Sequence, residues 1–118
     1  MESNFLAHIH VDPQTATLVV SGELDLASTP EFAAAVERTL ESQAGVLVID
    51  LSALEFIDST GVRALVKGYA RAADHGKQCS VINGGPQVSR ILEMTGVDRQ
   101  IDILPNADAG PPPPTALE

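Results

Sequence analysis

Phe56-Ile57-Asp58-Ser59-Thr60-Gly61-Val62 marks the point where an apolar, strand-like run gives way to an amphipathic helical pattern. Upstream, Val46-Leu47-Val48-Ile49-Asp50-Leu51 is nearly continuous and rich in β-branched residues, the pattern of a strand buried on both faces. Downstream, Val62, Leu65, Val66, Tyr69, Ala70 and Ala73 recur at helical spacing and form one apolar stripe. Between them, Asp58, Ser59 and Thr60 carry oxygens that accept from the unpaired amides of a first helical turn. The spacing places Ser59 at, or within one residue of, a helix N-terminus, where partial positive charge and free N–H donors tolerate an attached phosphate. Capping is the commonest use of these residue types, so a modified hydroxyl needs support from elsewhere in the chain.

Upstream of that junction, Phe5, Ala7, Ile9 and Val11 alternate with Leu6, His8 and His10 as in a strand with one mostly apolar face. Asp12-Pro13-Gln14-Thr15 has the composition of a turn, and residues 17–21 read as the second strand of a hairpin. His8 and His10 share a face, but no third histidine, cysteine or obvious carboxylate completes a metal site, and none is expected. Gly22-Glu23-Leu24-Asp25 leaves the strand. Ser28-Thr29-Pro30-Glu31 then announces a helix by capping-box spacing and an early proline, with Phe32, Val36 and Leu40 inward and an end near Ala44-Gly45.

The helix that follows Ser59 is expected to run to about His75, with Gly76 as a left-handed cap. Arg63, Lys67 and Arg71 repeat every four residues on its polar face, beginning one turn after Ser59, which makes Arg63 and Lys67 candidate partner contacts. Residues 78–82 read as another strand, and Cys79 within it as a buried, inert thiol. Gly84-Gly85-Pro86 opens a third helix that Gly96 stops, and residues 101–104 form a short final strand. Residues 105–118, with four consecutive prolines, have too little apolar surface to offset their ordering entropy and read as a disordered or extended tail. The domain is thus expected over residues 1–104. Its order of elements gives an α/β fold, a small mixed β-sheet with helices packed mainly on one side.

Composition narrows the function. The chain has 118 residues, 44% hydrophobic content, 3% aromatics and a net charge of −9. That suits one core and supplies neither a basic surface for phosphodiester backbones nor stacking platforms, so nucleic acid is not an expected partner. Residues 1–62 hold ten acids and one basic residue, Arg38, so a partner approaching Ser59 should offer positive charge. A single cysteine and the lack of a long apolar span point to a cytoplasmic protein that does not enter membranes.

Gly22-Glu23-Leu24-Asp25, Asp50-Leu51-Ser52, Phe56-Ile57-Asp58-Ser59-Thr60-Gly61 and Ile91-Leu92-Glu93-Met94-Thr95-Gly96-Val97 together resemble bacterial STAS domains, and among them the anti-sigma factor antagonists. The resemblance covers roughly residues 5–104. It implies that Ser59, directly after Asp58, is phosphorylated by a partner that is both anti-sigma factor and serine kinase. By the same resemblance, the unphosphorylated form binds that partner and frees the sigma factor, and a PP2C-type phosphatase resets the switch. Asp25 and Asp58 then correspond to acidic neighbours of the acceptor, Thr60 to the motif's second hydroxyl position, and Gly61 to a residue permitting close approach. Where relatives often follow Gly-Leu with a second glycine or small residue, this chain has Gly61-Val62-Arg63. Such a switch protein is no enzyme and needs no cofactor. One alternative is a non-phosphorylated STAS module of a transporter or sensory assembly. Another is an enzyme with Ser59 as nucleophile, against which stand the missing Gly-x-Ser-x-Gly elbow and the distance of His75 along the chain.

Overall fold

The computed structural model describes residues 4–106. Its elements run β1 (Phe5–Val11), β2 (Thr15–Leu24), α1 (Thr29–Leu40), β3 (Val46–Ile57), α2 (Ser59–Asp74), β4 (Gln78–Ile82), α3 (Pro86–Met94), a 3-10 turn (Val97–Arg99) and β5 (Ile103–Leu104). The strands lie side by side in chain order. β1 is antiparallel to β2, and every later pair is parallel. Each crossover therefore steps one place in the same direction, and right-handed crossovers that all step one way leave their helices on a single face.

That face carries the core. Ala16 and Leu18 of β2 stand beside Leu47 and Ile49 of β3, and Ile49 stands beside Val81 of β4. All five are buried, against Phe32, Val36, Leu65, Val88 and Leu92 from the helices. The residues between them, among them Thr17, Val19, Val48 and Asp50, are only half-buried. The expectation that residues 46–51 are buried on both faces is thus corrected. No crossover returns on the far side to cover the second face.

Both central strands outrun their expected lengths, for one reason. Gly22 does not leave β2 but bulges within it at φ 86°, with register shifts on either side, and β2 continues to Leu24. A Cβ at Gly22 would stand 1.8 Å from the Asn4 carbonyl oxygen, so only glycine fits. β3 accompanies this extension as far as Ile57, which pairs with Leu24. The loops that follow β2 and β3 consequently leave the sheet side by side.

Helix ends follow local chemistry, with two corrections. Gly76 and Gly96 take φ of 71° and 76°, as the expected helix stops require. α1, however, ends at Leu40 and not near Gly45. Its last turn tightens, Glu41 N donating to Arg38 O and Ser42 N to Thr39 O, three residues back. Ser28 precedes α1 without capping it through its side chain. At the other end of the chain, Asn106 is 8% exposed, so packing extends past the expected boundary at Leu104. The expected tail otherwise lies outside the described residues.

Candidate functional site

The site is built where β3 ends. Asp58 takes an extended backbone as N-cap of α2, and its Oδ1 accepts from the Gly61 amide at 2.8 Å. Val62 N donates to the Asp58 carbonyl at 2.9 Å, closing the first intrahelical turn. The amides of Ser59 and Thr60 lie ahead of that bond and remain for an external acceptor. Ser59 is the first residue of α2 and is exposed, so its hydroxyl stands free at the positive end of a helix of sixteen residues.

Leu24 fixes the position of this turn from the neighbouring strand. Its carbonyl accepts from the Asp58 amide at 3.3 Å, and it presses on Gly61, where a Cβ would lie 2.2 Å from the Leu24 oxygen. Gly61 does permit close approach, but of this backbone. It is itself buried, so it shapes the surface from beneath.

Asp25 begins the adjoining loop, and its carboxylate is engaged within it. Oδ1 accepts from Ala27 N at 3.0 Å and Ser28 N at 3.2 Å. Ser28 is fully buried; its hydroxyl donates to Glu23 O at 2.8 Å and accepts from Asp25 N at 3.0 Å. The serine read as half of a capping box is instead the clasp of the loop between β2 and α1. Capping-box spacing is a local signal, whereas the Glu23 carbonyl that Ser28 engages belongs to the end of β2, just past the register shift at Gly22.

The stripe on α2 divides. Arg63 and Lys67 are exposed and have no carboxylate partner among the described residues. Arg71 makes a bidentate pair with Glu37 of α1, both contacts at 2.9 Å. That hydrogen-bonded guanidinium holds the Glu37 carboxyl below its ordinary value, and Glu37 in turn raises Arg71. Two apolar residues near the site were not among the contacts expected from the sequence. Leu26, 73% exposed, tops the Asp25 loop, and Phe56, 44% exposed, lies beside Glu23 at the end of β3. Exposed apolar residues in a motif and an adjoining loop were the available signal.

The remaining candidates lie elsewhere. His75 caps the C-terminus of α2, so a helix of sixteen residues, about 24 Å long, separates it from Ser59. His8 and His10 share the open face of β1, with His10 3.4 Å from Asp12. Among the described residues no cluster of three or more metal-ligating side chains occurs, and no helix is long and apolar enough to cross a membrane.

The family profile described as "Mlab, STAS domain" matches residues 7–105. The anti-sigma-F factor antagonist RsfB of Mycobacterium tuberculosis is 30% identical over 89 residues, covering 75% of this chain and 72% of the relative. An anti-sigma-B factor antagonist of Listeria monocytogenes is 27% identical over 94 residues, covering 80% and 78%. Among solved structures, an anti-sigma factor antagonist from Mycobacterium paratuberculosis matches with a TM-score of 0.78 at 28% identity over 89% of both chains. With its mixed sheet, its one-sided helices and Ser59 at the head of α2, this chain belongs to the STAS domain family.

Proposed function

We propose that this protein is an anti-sigma factor antagonist switched by phosphorylation at Ser59. The observation that carries this reading is an exposed serine as the first residue of α2, directly after an aspartate already occupied as the N-cap. Antagonists among its relatives support the class of partner. In the unphosphorylated state the surface formed by Ser59, Thr60, Asp58 and the Asp25 loop binds an anti-sigma factor with serine kinase activity, and sigma factor is released. The kinase directs Ser59 Oγ at the γ-phosphorus of ATP; the new O–P bond forms as the bond to ADP breaks, and the hydroxyl proton passes to a base on the kinase. A PP2C-type phosphatase returns the hydroxyl and inorganic phosphate. The cycle runs in the cytoplasm.

The chain contributes an acceptor and no catalysis of its own. Its nearest carboxylate in sequence, Asp58, is committed to the Gly61 amide, and His75 lies at the far end of α2. The test begins with Ser59→Ala as bait to recover the kinase. Wild-type chain is then incubated with that kinase and ATP, and the phosphate is located by fragment mass spectrometry. One phosphate on Ser59 is expected; phosphate on Thr60 with Ser59 untouched overturns the assignment.

A further inference from the structure

The two edges of the sheet are finished differently. β5 closes one side with two residues, Ile103 and Leu104, too short a strand to template another. β1 forms the other side and runs for seven residues, Phe5-Leu6-Ala7-His8-Ile9-His10-Val11, paired with β2 in unbroken antiparallel register. Edge strands of this length are usually blunted by lysine, proline, a bulge or an inward charge. β1 holds no lysine, no proline and no acid, and the register shifts around Gly22 lie between β2 and β3. In a chain of net charge −9, two copies can bring this run together without setting acids against each other.

Hydrogen bonding fixes which groups that edge presents. Glu23 N donates to Asn4 O at 2.7 Å, and Asp12 N to Thr15 O at 2.8 Å, at the two ends of the β1–β2 ladder. Antiparallel ladders alternate, so Leu6, His8 and His10 bond inward to β2, while Phe5, Ala7, Ile9 and Val11 turn their N–H and C=O groups outward. No strand among the described residues takes those groups. Their spacing is self-complementary about His8.

We propose that β1 pairs antiparallel with β1 of a second copy of this chain, with the two-fold axis through His8, joining two five-stranded sheets into one. In that register Ala7 exchanges both its bonds with Ile9 of the second copy, and Phe5 with Val11, about eight bonds in all, inside the range of specific interfaces. Leu6, 66% exposed, comes to lie opposite His10, and Val11, 51% exposed, opposite Phe5. His8 faces its own counterpart. A shift of one residue would set outward groups against groups already bonded to β2, and a shift of two leaves part of each strand unpaired. The C-terminal segment is a poorer occupant, because residues 111–114 are prolines with no N–H to give and the segment follows β5, at the opposite edge. The Phe5 end of β1 lies beside the ends of β2 and β3 from which the acceptor turn departs, so the two-fold sends the two Ser59 sites to opposite ends of the joint sheet. The pairing does not rest on phosphorylation of Ser59.

The test is a dilution series of the full chain in sedimentation velocity, with amide hydrogen exchange followed residue by residue by NMR at both ends of the series. A monomer–dimer equilibrium is expected. With rising concentration the amides of Phe5, Ala7, Ile9 and Val11 should gain protection, while those of Leu6, His8 and His10, already held by β2, change little. Ala7→Pro removes an outward N–H, at a position where an edge strand accepts proline, and should abolish the dimer. His8→Lys sets two like charges opposite each other on the axis and should weaken the dimer about fivefold, although the added cation makes the chain less negative. If Ala7→Pro unfolds, this exposed substitution decides alone. A chain that stays monomeric at about 1 mM overturns the proposal. So do species larger than a dimer, concentration-dependent protection at β5 or on the helices in place of β1, or an unchanged dimer in the His8→Lys variant. Protection of the four outward amides that is independent of concentration overturns it too, because a segment of the same chain would then cover the edge.

Discussion

The backbone of Gly61 lies against the carbonyl oxygen of Leu24 so closely that a Cβ on Gly61 would stand 2.2 Å from it. One glycine in the first turn of α2 is thereby locked to the last residue of β2. Because a carbonyl in a paired strand cannot rotate aside as a long side chain can, Gly61→Ala should cost about 1–3 kcal/mol or more. Gly45→Ala, with nothing within 4 Å of the added methyl, should stay within about 0.5 kcal/mol. Urea unfolding of both variants checks the contrast. Equal stability of the two would mean that the turn is free to move off the strand, and with it Ser59.

Ser28 gives the second test. Its buried hydroxyl bonds both the Glu23 carbonyl and the Asp25 amide, so Ser28→Ala leaves two backbone groups unsatisfied where water enters poorly. A loss of about 1–3 kcal/mol is expected. A cost of a few tenths would instead fit an ordinary surface cap, the role that the spacing of Ser28 and Glu31 suggests.

Cys79 provides a test against pH. Burial first, and the charge of Asp102 second, push its thiol up to about 12. The folded state therefore holds the proton. The associated stability is complete below the unfolded thiol value of about 8.5 and declines as pH rises toward the folded value. At pH 8 the thiolate fraction should be about a thousandfold lower in the folded chain than in the unfolded one. Alkylation by iodoacetamide should be correspondingly slow until denaturant is added. Rapid labelling of the folded chain would show an accessible, ionised thiol.

These tests also separate what local sequence conveys from what it does not. Asp58 as N-cap, α2 to its end before Gly76, and α3 to its stop at Gly96 all depend on neighbours within one or two turns, and such chemistry is written in consecutive residues. The bulge at Gly22 lies where Glu23 N donates to the Asn4 carbonyl, a contact between segments distant in sequence. Residues 52–57 mix Ser52, Glu55 and exposed Phe56 with apolar positions, so they lack the signature of a strand that is nevertheless paired along β2. The Glu37–Arg71 bridge joins residues 34 apart in sequence, and only the packing of α1 beside α2 brings them together. Of the site, then, the place of Ser59 at the head of α2 and the Asp58 cap beside it were legible. The surface around them was not, because β2, β3 and α1 assemble it.

Phosphorylation of Ser59 should act through local charge and leave the fold in place. The phosphate adds about −1.5 to −2 charges. It arrives at the head of α2, where the open amides of Ser59 and Thr60 and the helix dipole favour it by roughly 0.3–1 kcal/mol. The domain itself loses nothing. The penalty falls on the complex, where the phosphate must be desolvated beside Asp58 and the Asp25 loop and against the nucleotide of the kinase. A loss of about 2.8 kcal/mol there weakens association about a hundredfold, enough to release the partner. Ser59→Asp should therefore unfold at the same or slightly higher denaturant concentration than wild type and yet bind the anti-sigma factor poorly. Ser59→Ala should fold and bind constitutively. Amide shifts between the phosphorylated and free forms should concentrate in residues 22–26 and 57–67, the two loops joined by the Leu24–Ile57 pair and the first turns of α2. Shifts spreading through α3 and β4 would show a conformational switch instead.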